Sequence, residues 1–159
     1  MNVNSMHSIN LSHFDYHFSS DKKLMQWKVI HAWLCNESYW AKNIPFELVK
    51  AAGENSFCIG VFYENIQIGY ARIITDYNTF GYLADVFIVA GYRKKGLSKI
   101  MMSQIMQLDW VKKLRRFMLA TLDAHDLYRQ YGFVNPKKPD RLMEINQSGI
   151  YEKQNQNNY

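Results

Sequence analysis

Residues 82–102 read YLADVFIVAGYRKKGLSKIMM. The stretch changes character twice. Positions 82–90 are short and almost continuously apolar, which predicts a strand covered on both faces. From Leu97 onward, Met101, Ile105 and Leu108 recur at helical spacing and predict an amphipathic helix. Between strand and helix stand Gly91, Arg93, Lys94, Lys95 and Gly96. The first amides of a helix have no intrahelical acceptor, and the aligned peptide dipoles add partial positive charge there. A glycine at the joint lets those amides approach a bound anion closely. The residues alone leave two readings open: a cradle for phosphates, or a solvated basic turn ahead of a core helix. Two nucleotide motifs are excluded. Gly91 and Gly96 have the separation of a P-loop, but Leu97 stands where its lysine must be, and no GxGxxG occurs.

On the N-terminal side, FCIGVFYENIQIGYARIITD (57–76) holds two β-branched and aromatic runs around Glu64-Asn65, the signature of a hairpin. Further upstream, Leu24, Trp27, Ile30 and Leu34 share one helical face, with Ser20 or Asp21 as N-cap. After the aromatic loop ESYWAKN, Pro45 opens a second helix, FELVKAAG, that Gly53 is expected to close. On the C-terminal side, RRFMLAT (115–121) reads as a strand, DAHDLYRQYG (123–132) as a helix and RLMEI (141–145) as a last strand. Residues 1–12 are polar without periodicity, a loose start or short edge strand, and the Asn/Gln-rich tail 147–159 is expected to fray. A hairpin followed by strand–helix–strand–helix predicts a mixed α/β sheet, not a fully parallel one. The 159 residues suit one domain with its core at about 13–146.

At 48% hydrophobic and 21% charged, the chain is not a disordered one. Its net charge of +5 favours anionic partners: nucleic acid, a membrane surface or a phosphorylated small molecule. Cys35 and Cys58 have no metal-binding or redox spacing, which argues against a disulfide or zinc site and for a reducing compartment. No secretory pattern opens the sequence and no apolar run is long enough to span a bilayer, so a cytoplasmic protein is expected. Asp123, His125 and Asp126 sit at a helix start, where Asp123 serves as N-cap and Asp126 favours the dipole; they do not have metal-ligand spacing. VKKLRR (111–116) puts cations at the negative end of a helix and lacks the interleaved aromatics of a nucleic-acid patch. Met101, Met102 and Met106 read as core filler.

Arg93-Lys94-Lys95-Gly96-Leu97-Ser98 resembles the acyl-CoA loop, Q/R-x-x-G-x-G/A, of the GNAT superfamily of N-acetyltransferases. Ser98 departs from the glycine or alanine of that pattern, and Ala90-Gly91 replaces its usual proline-containing turn. AHDLYRQYGF (124–133) is similar to the same family's A-x-x-L-Y-x-x-x-G-F helix, with Ala124, Leu127, Tyr128, Gly132 and Phe133 in place. The two motifs stand in the family's order. The resemblance covers about residues 55–145, and the first fifty fit as the family's variable acceptor-binding helices.

The resemblance implies a central, mostly antiparallel sheet with a splayed parallel strand pair, flanked by helices. It implies acetyl-CoA as acyl donor, and the spacing of the histidines, cysteines and carboxylates gives no reason to expect a metal. Val86, Phe87 and Ile88 would pair with the pantetheine arm through main-chain groups, and one such amide could polarise the thioester carbonyl. Arg93, Lys94, Lys95, Gly96, Leu97, Ser98 and Lys99 would hold the pyrophosphate. Thr121 stands where many relatives carry a cofactor-contacting asparagine. Tyr128 takes the place of the family's general acid: a phenol of pKa about 10 beside a leaving thiolate whose thiol has pKa near ~8.5.

Asp85 is the one carboxylate in the apolar run 82–90. It could serve as base, as anchor for a cationic acceptor or as a structural hydrogen-bonding group, and a water chain could replace it as base. Glu37, Tyr39, Trp40 and Asp76 are the candidate acceptor contacts. The expected activity is acetyl transfer to a primary amine by direct attack in a ternary complex. A small-molecule acceptor is favoured over a protein, with no nucleic-acid or membrane partner and a monomeric or homodimeric state. A non-catalytic acyl-CoA sensor of the same fold is the alternative.

Overall fold

Among the described residues, six strands form one sheet in sequential order: β1 (Asn10–His13), β2 (Tyr16–Ser19), β3 (Phe57–Tyr63), β4 (Ile66–Thr75), β5 (Phe80–Ile88) and β6 (Arg116–Met118). The computed structural model describes residues 8–152, so the expectations for 1–7 and 153–159 lie outside the described residues. Every pairing is antiparallel except β5 with β6, which is parallel. The sheet is thus mixed, as its connections predict. Glu64 and Asn65 join β3 to β4 with φ of 47° and 65°, the primed-turn geometry that matches strand twist.

Helices cover both faces. On one lie α1 (Trp27–Glu37) and α2 (Phe46–Glu54), over Cys58, Phe62, Tyr70 and Phe87. On the other lie α3 (Leu97–Gln107), α4 (Asp109–Lys113) and α5 (His125–Arg129), over Phe57, Ile59, Val61, Ile73 and Leu83. The alternation Phe57, Ile59, Val61 against Cys58, Phe62 is the period-2 pattern of a central strand. Met101, Met102 and Ile105 are fully buried, and Met106 packs at the margin of the same core. Each fully buried side chain of this size contributes on the order of 1.5–3 kcal/mol.

Several elements differ from their sequence reading. Asp21 caps a 3-10 turn at Lys22–Leu24 instead of α1, and Leu24 is 45% exposed instead of lying on the α1 face. The start of α1 is tied down by glutamines: the Gln26 amide donates to Gln67 Oε1 at 2.7 Å, and the Gln67 amide donates to Gln26 Oε1 at 3.1 Å. Gly53 lies inside α2 and does not close it; a Cβ there would come within 2.3 Å of the Trp27 ring, so the residue is small because α1 packs against it. The predicted strand 82–90 runs two residues earlier, because Ala90–Tyr92 form a 3-10 turn. α5 is shorter than 123–132, and Asp123 does not cap it; Thr121 Oγ1 instead accepts the Ala124 amide at 3.0 Å. β6 spans only three residues of 115–121.

Residues 141–145 join no strand: Pro139–Arg141 make a 3-10 turn, and Met143 and Ile145 are 96% and 94% exposed. An apolar composition makes a strand only where a partner edge meets it. The chain leading there carries Pro136 and Pro139, which have no N–H to give a ladder.

Ile105 joins α3 to the sheet with no exposed surface. Ile105→Ala is expected to cost about 2–5 kcal/mol of unfolding free energy, read from urea denaturation. A loss under about 1 kcal/mol would contradict tight packing at this layer.

Candidate active site

The parallel pair ends almost as soon as it begins. β5 and β6 pair only at Phe80–Arg116, Gly81–Phe117 and Tyr82–Met118. Past Tyr82, the edge of β5 that faces β6 has no strand partner among the described residues. Between the separating chains lies a cleft of about 280 Å³, walled by Leu83–Val86 on one side, Leu119–Thr121 on the other and Tyr128 of α5.

A β-bulge shapes the β5 wall. Tyr70 of β4 faces Phe87 while Arg72 faces Ala84, so Ala71 opposes both Asp85 and Val86. Asp85 takes φ of 55°, the left-handed region that such bulges use. The extra residue shifts the alternation: Leu83, Val86 and Ile88 share one face, whereas Phe87 points to the other. There Phe87 stacks on Trp33 with centroids 4.2 Å apart and planes 7° from parallel. Its side chain is therefore committed to the α1 layer, and Phe87 lines neither the cleft nor the α3 cavity.

Asp85 is engaged on both oxygens. Arg72 Nε donates to Oδ2, and Trp40 Nε1 donates to Oδ1 at 3.0 Å. Arg72 also donates to Ser56 Oγ at 3.2 Å. Sequence reading did not identify Arg72, although it is the lone charge in its strand, the same signal that marked Asp85. Tyr82 and Asp123, which also line the cleft, were missed as contacts as well.

Tyr128 is 7% exposed, and its hydroxyl has no protein partner among the described residues. Burial, assisted by the nearby charge of Asp123 and by Tyr39, pushes its pKa up to about 12. The phenol is thus a protonated donor at neutral pH, on the wall between this cleft and an adjoining cavity of about 280 Å³ lined by Phe117–Thr121, His125 and Arg129. Tyr39 and Trp40 line the same cleft, with rings T-shaped at 4.9 Å. Thr121 lines it too, but its hydroxyl is occupied by the Ala124 amide. Glu37 and Asp76 do not line it. Asp76 organises the β4–β5 loop, accepting from the amides of Asn78, Thr79 and Phe80 and from the Thr79 hydroxyl. Those bonds, led by the Thr79 hydroxyl, hold its carboxyl below the usual range.

A second cavity of about 220 Å³ opens where β5 gives way to α3, lined by Ile88, Arg93, Lys94 and Gly96–Lys99. Lys94 and Gly96 adopt φ of 62° and 77°, which turns the chain into the helix. Among the described residues no side chain caps α3, and a Cβ on Gly96 would meet nothing within 4 Å. The first amides of α3 therefore open onto free space beside cations. Leu97 is buried in the core, so it can offer only its amide. Arg93 is partly structural, its Nε donating to Ile88 O at 2.8 Å. Lys95 does not line this cavity and lies over the Tyr92 ring at 5.5 Å. An uncapped helix start with cations, a partnerless strand edge and a buried phenol fit a long ligand with a diphosphate at one end and a reactive group at the other.

Comparison with known proteins finds relatives of one family. Residues 26–133 match the model of the acetyltransferase (GNAT) family. The chain is 30% identical over 139 residues to a Gibberella zeae protein whose name marks it as a candidate acetyltransferase, covering 75% of this chain and 78% of that one. A crystal structure of a GNAT-family protein from Xanthomonas campestris pv. campestris superposes with a TM-score of 0.84 at 43% identity, covering 89% of this chain and 98% of that one. A candidate acetyltransferase of Clostridium acetobutylicum, solved with acetyl-CoA, shares the fold with a TM-score of 0.62 at 16% identity, covering 82% of this chain and 94% of that one.

Two measurements check this geometry. Arg72→Met leaves the Asp85 carboxylate without its ion pair and is expected to cost about 3 kcal/mol, much of it recovered on adding Asp85→Asn; a cost near zero would contradict the pairing. Tyr128 titrates higher when folded than when unfolded, so its contribution is intact below the ordinary phenol pKa of ~10 and is lost as pH rises through the folded value of about 12. Between those limits the wild-type protein is expected to lose about 2–3 kcal/mol more unfolding free energy than Tyr128→Phe, and equal losses would contradict the burial.

Proposed function

Because the chain belongs to the acetyltransferase (GNAT) family, we propose that it transfers the acetyl group of acetyl-CoA to the primary amine of a small molecule by direct attack. When bound, acetyl-CoA supplies an electrophilic thioester carbonyl and a thiolate leaving group. The protein's own residues do the rest. The uncapped amides at the start of α3, with Lys94 and Lys99, hold the diphosphate. The free edge of β5 pairs with the amide-bearing arm as an added strand would, through main-chain groups that tolerate any side chain. That pairing leads the reactive end toward Tyr128.

The amine nitrogen forms a bond to the carbonyl carbon as the carbon–sulfur bond breaks. One proton leaves nitrogen and one ends on sulfur. Tyr128 donates a hydrogen bond to the sulfur as charge builds there. With its pKa at about 12 against ~8.5 for a thiol, complete transfer of the phenol proton is uphill by roughly 5 kcal/mol. Tyr128 therefore contributes chiefly as a donor that stabilises the thiolate, and the proton finally held by sulfur replaces one released from the amine. Asp85 acts as a positioning residue: Arg72 answers its charge, and it fixes Trp40 at the cleft wall.

Direct attack is favoured over an acyl-enzyme because neither cysteine lines the cleft. Cys58 is buried, 3.1 Å from the Tyr70 hydroxyl, and burial pushes its thiol up, away from the reactive thiolate. The observation that carries the reading is that β5 lines two cavities in succession, one containing the Tyr128 phenol beside its free edge and one at the uncapped start of α3.

Purified protein incubated with acetyl-CoA and a panel of amines is expected to release free thiol. Tyr128→Phe should retain coenzyme A binding by calorimetry and lose on the order of 10²-fold in kcat. Tight binding with no thiol release for any amine would identify a binding module instead.

A further inference from the structure

The two ends of the active site carry opposite electrostatics. The chain has 19 lysines and arginines, and three of them, Arg93, Lys94 and Lys99, line the cavity at the start of α3. Among the described residues none lines the cleft that holds Asp85 and Tyr128, and Arg129, which lines the adjoining cavity on the other side of Tyr128, is paired with Asp126. That cleft has two carboxylates, Asp85 and Asp123, and only the first is answered by a cation. Asp123 is exposed and has no hydrogen bond or ion pair among the described residues, yet its charge is felt at the Tyr128 phenol. The Tyr128 phenol has no hydrogen-bond partner among the described residues and borders the same cleft.

The walls between these groups are aromatic. Tyr39 and Trp40 are 62% and 43% exposed beside the cleft, so their rings are open to a ligand there. Trp40 is held in place by its bond to Asp85 and by its edge contact with Tyr39. Ring faces of this kind cover alkyl chains and attract cations.

We propose that the acceptor is a small aliphatic diamine: one amine reacts and a second, which stays protonated, is bound by Asp123 and the Tyr39–Trp40 faces. This rests on the acetyl-transfer reading above and specifies its acceptor. The chemistry favours two amines over one. A cleft with an unanswered carboxylate stabilises an ammonium, and with a monoamine it would hold the nucleophile in its unreactive, protonated form. A second cationic centre takes up that field and leaves the attacking nitrogen free to lose its proton. The nitrogen–carbon bond forms, the carbon–sulfur bond breaks, one proton passes from the attacking amine to the thiol product, and the distal ammonium is unchanged.

The test compares kcat/KM for butane-1,4-diamine, butylamine and 4-aminobutanoate, which place a cation, a methyl group and an anion at the far end of the same chain. The diamine is expected to exceed butylamine by about tenfold, with 4-aminobutanoate the poorest. Asp123→Asn should bring the ratio of diamine to butylamine to within about twofold. Coenzyme A binding by that variant checks that it is folded. Butylamine or 4-aminobutanoate matching the diamine, or a ratio unmoved by Asp123→Asn, overturns the diamine assignment and leaves acetyl transfer standing. Absence of thiol release from every amine overturns the transfer reading and this one with it.

Discussion

The site exists because two parallel strands part after three residue pairs. A strand buried between two helical layers must place its N–H and C=O groups on some partner. For the first part of β5, β6 is that partner; from Leu83 on, the chain of β6 has turned away toward Thr121 and α5. The abandoned edge is lined by solvent-reachable space, not sealed in the core, so its polar groups remain available at little cost. The bulge at Asp85 adds local twist at the same point and aims the strand differently on either side of it.

The surrounding layers hold that opening rigid. Phe87 is clamped to Trp33 on one face, while Leu83, Val86 and Ile88 pack toward α3 and α5 on the other. Arg72 and Asp85 bridge adjacent strands beneath Trp40, so the cleft wall rests on a charged pair and not on loop packing alone. The proposed site therefore sits on strand and helix ends fixed by two cores, an arrangement that would keep a reactive geometry from drifting.

Local chemistry was legible in the sequence. Glu64-Asn65 between two β-rich runs could only be a tight hairpin, and Gly96 ahead of an amphipathic run marked the start of α3; both depend on a few adjacent residues. The motif containing Tyr128 was found for the same reason. Features that depend on distant partners were not legible. Asp85 looked like a lone buried carboxylate because Arg72 lies thirteen positions away on the neighbouring strand, and the bulge that brings them together leaves no mark in composition. Gly53 resembled a helix stop because nothing local announces the Trp27 ring packed against it. Residues 141–145 resembled a strand because alternation speaks to one edge and says nothing of whether another edge is there to meet it.

Hydrogen–deuterium exchange with and without coenzyme A tests the central claim most directly, since it reads main-chain amides one segment at a time. The free edge of β5 and the first turn of α3 are expected to slow together on adding the ligand, at peptides spanning 83–89 and 96–100, while β1 and β2 stay unchanged. Protection confined to other segments, or none at saturating coenzyme A, would contradict the account.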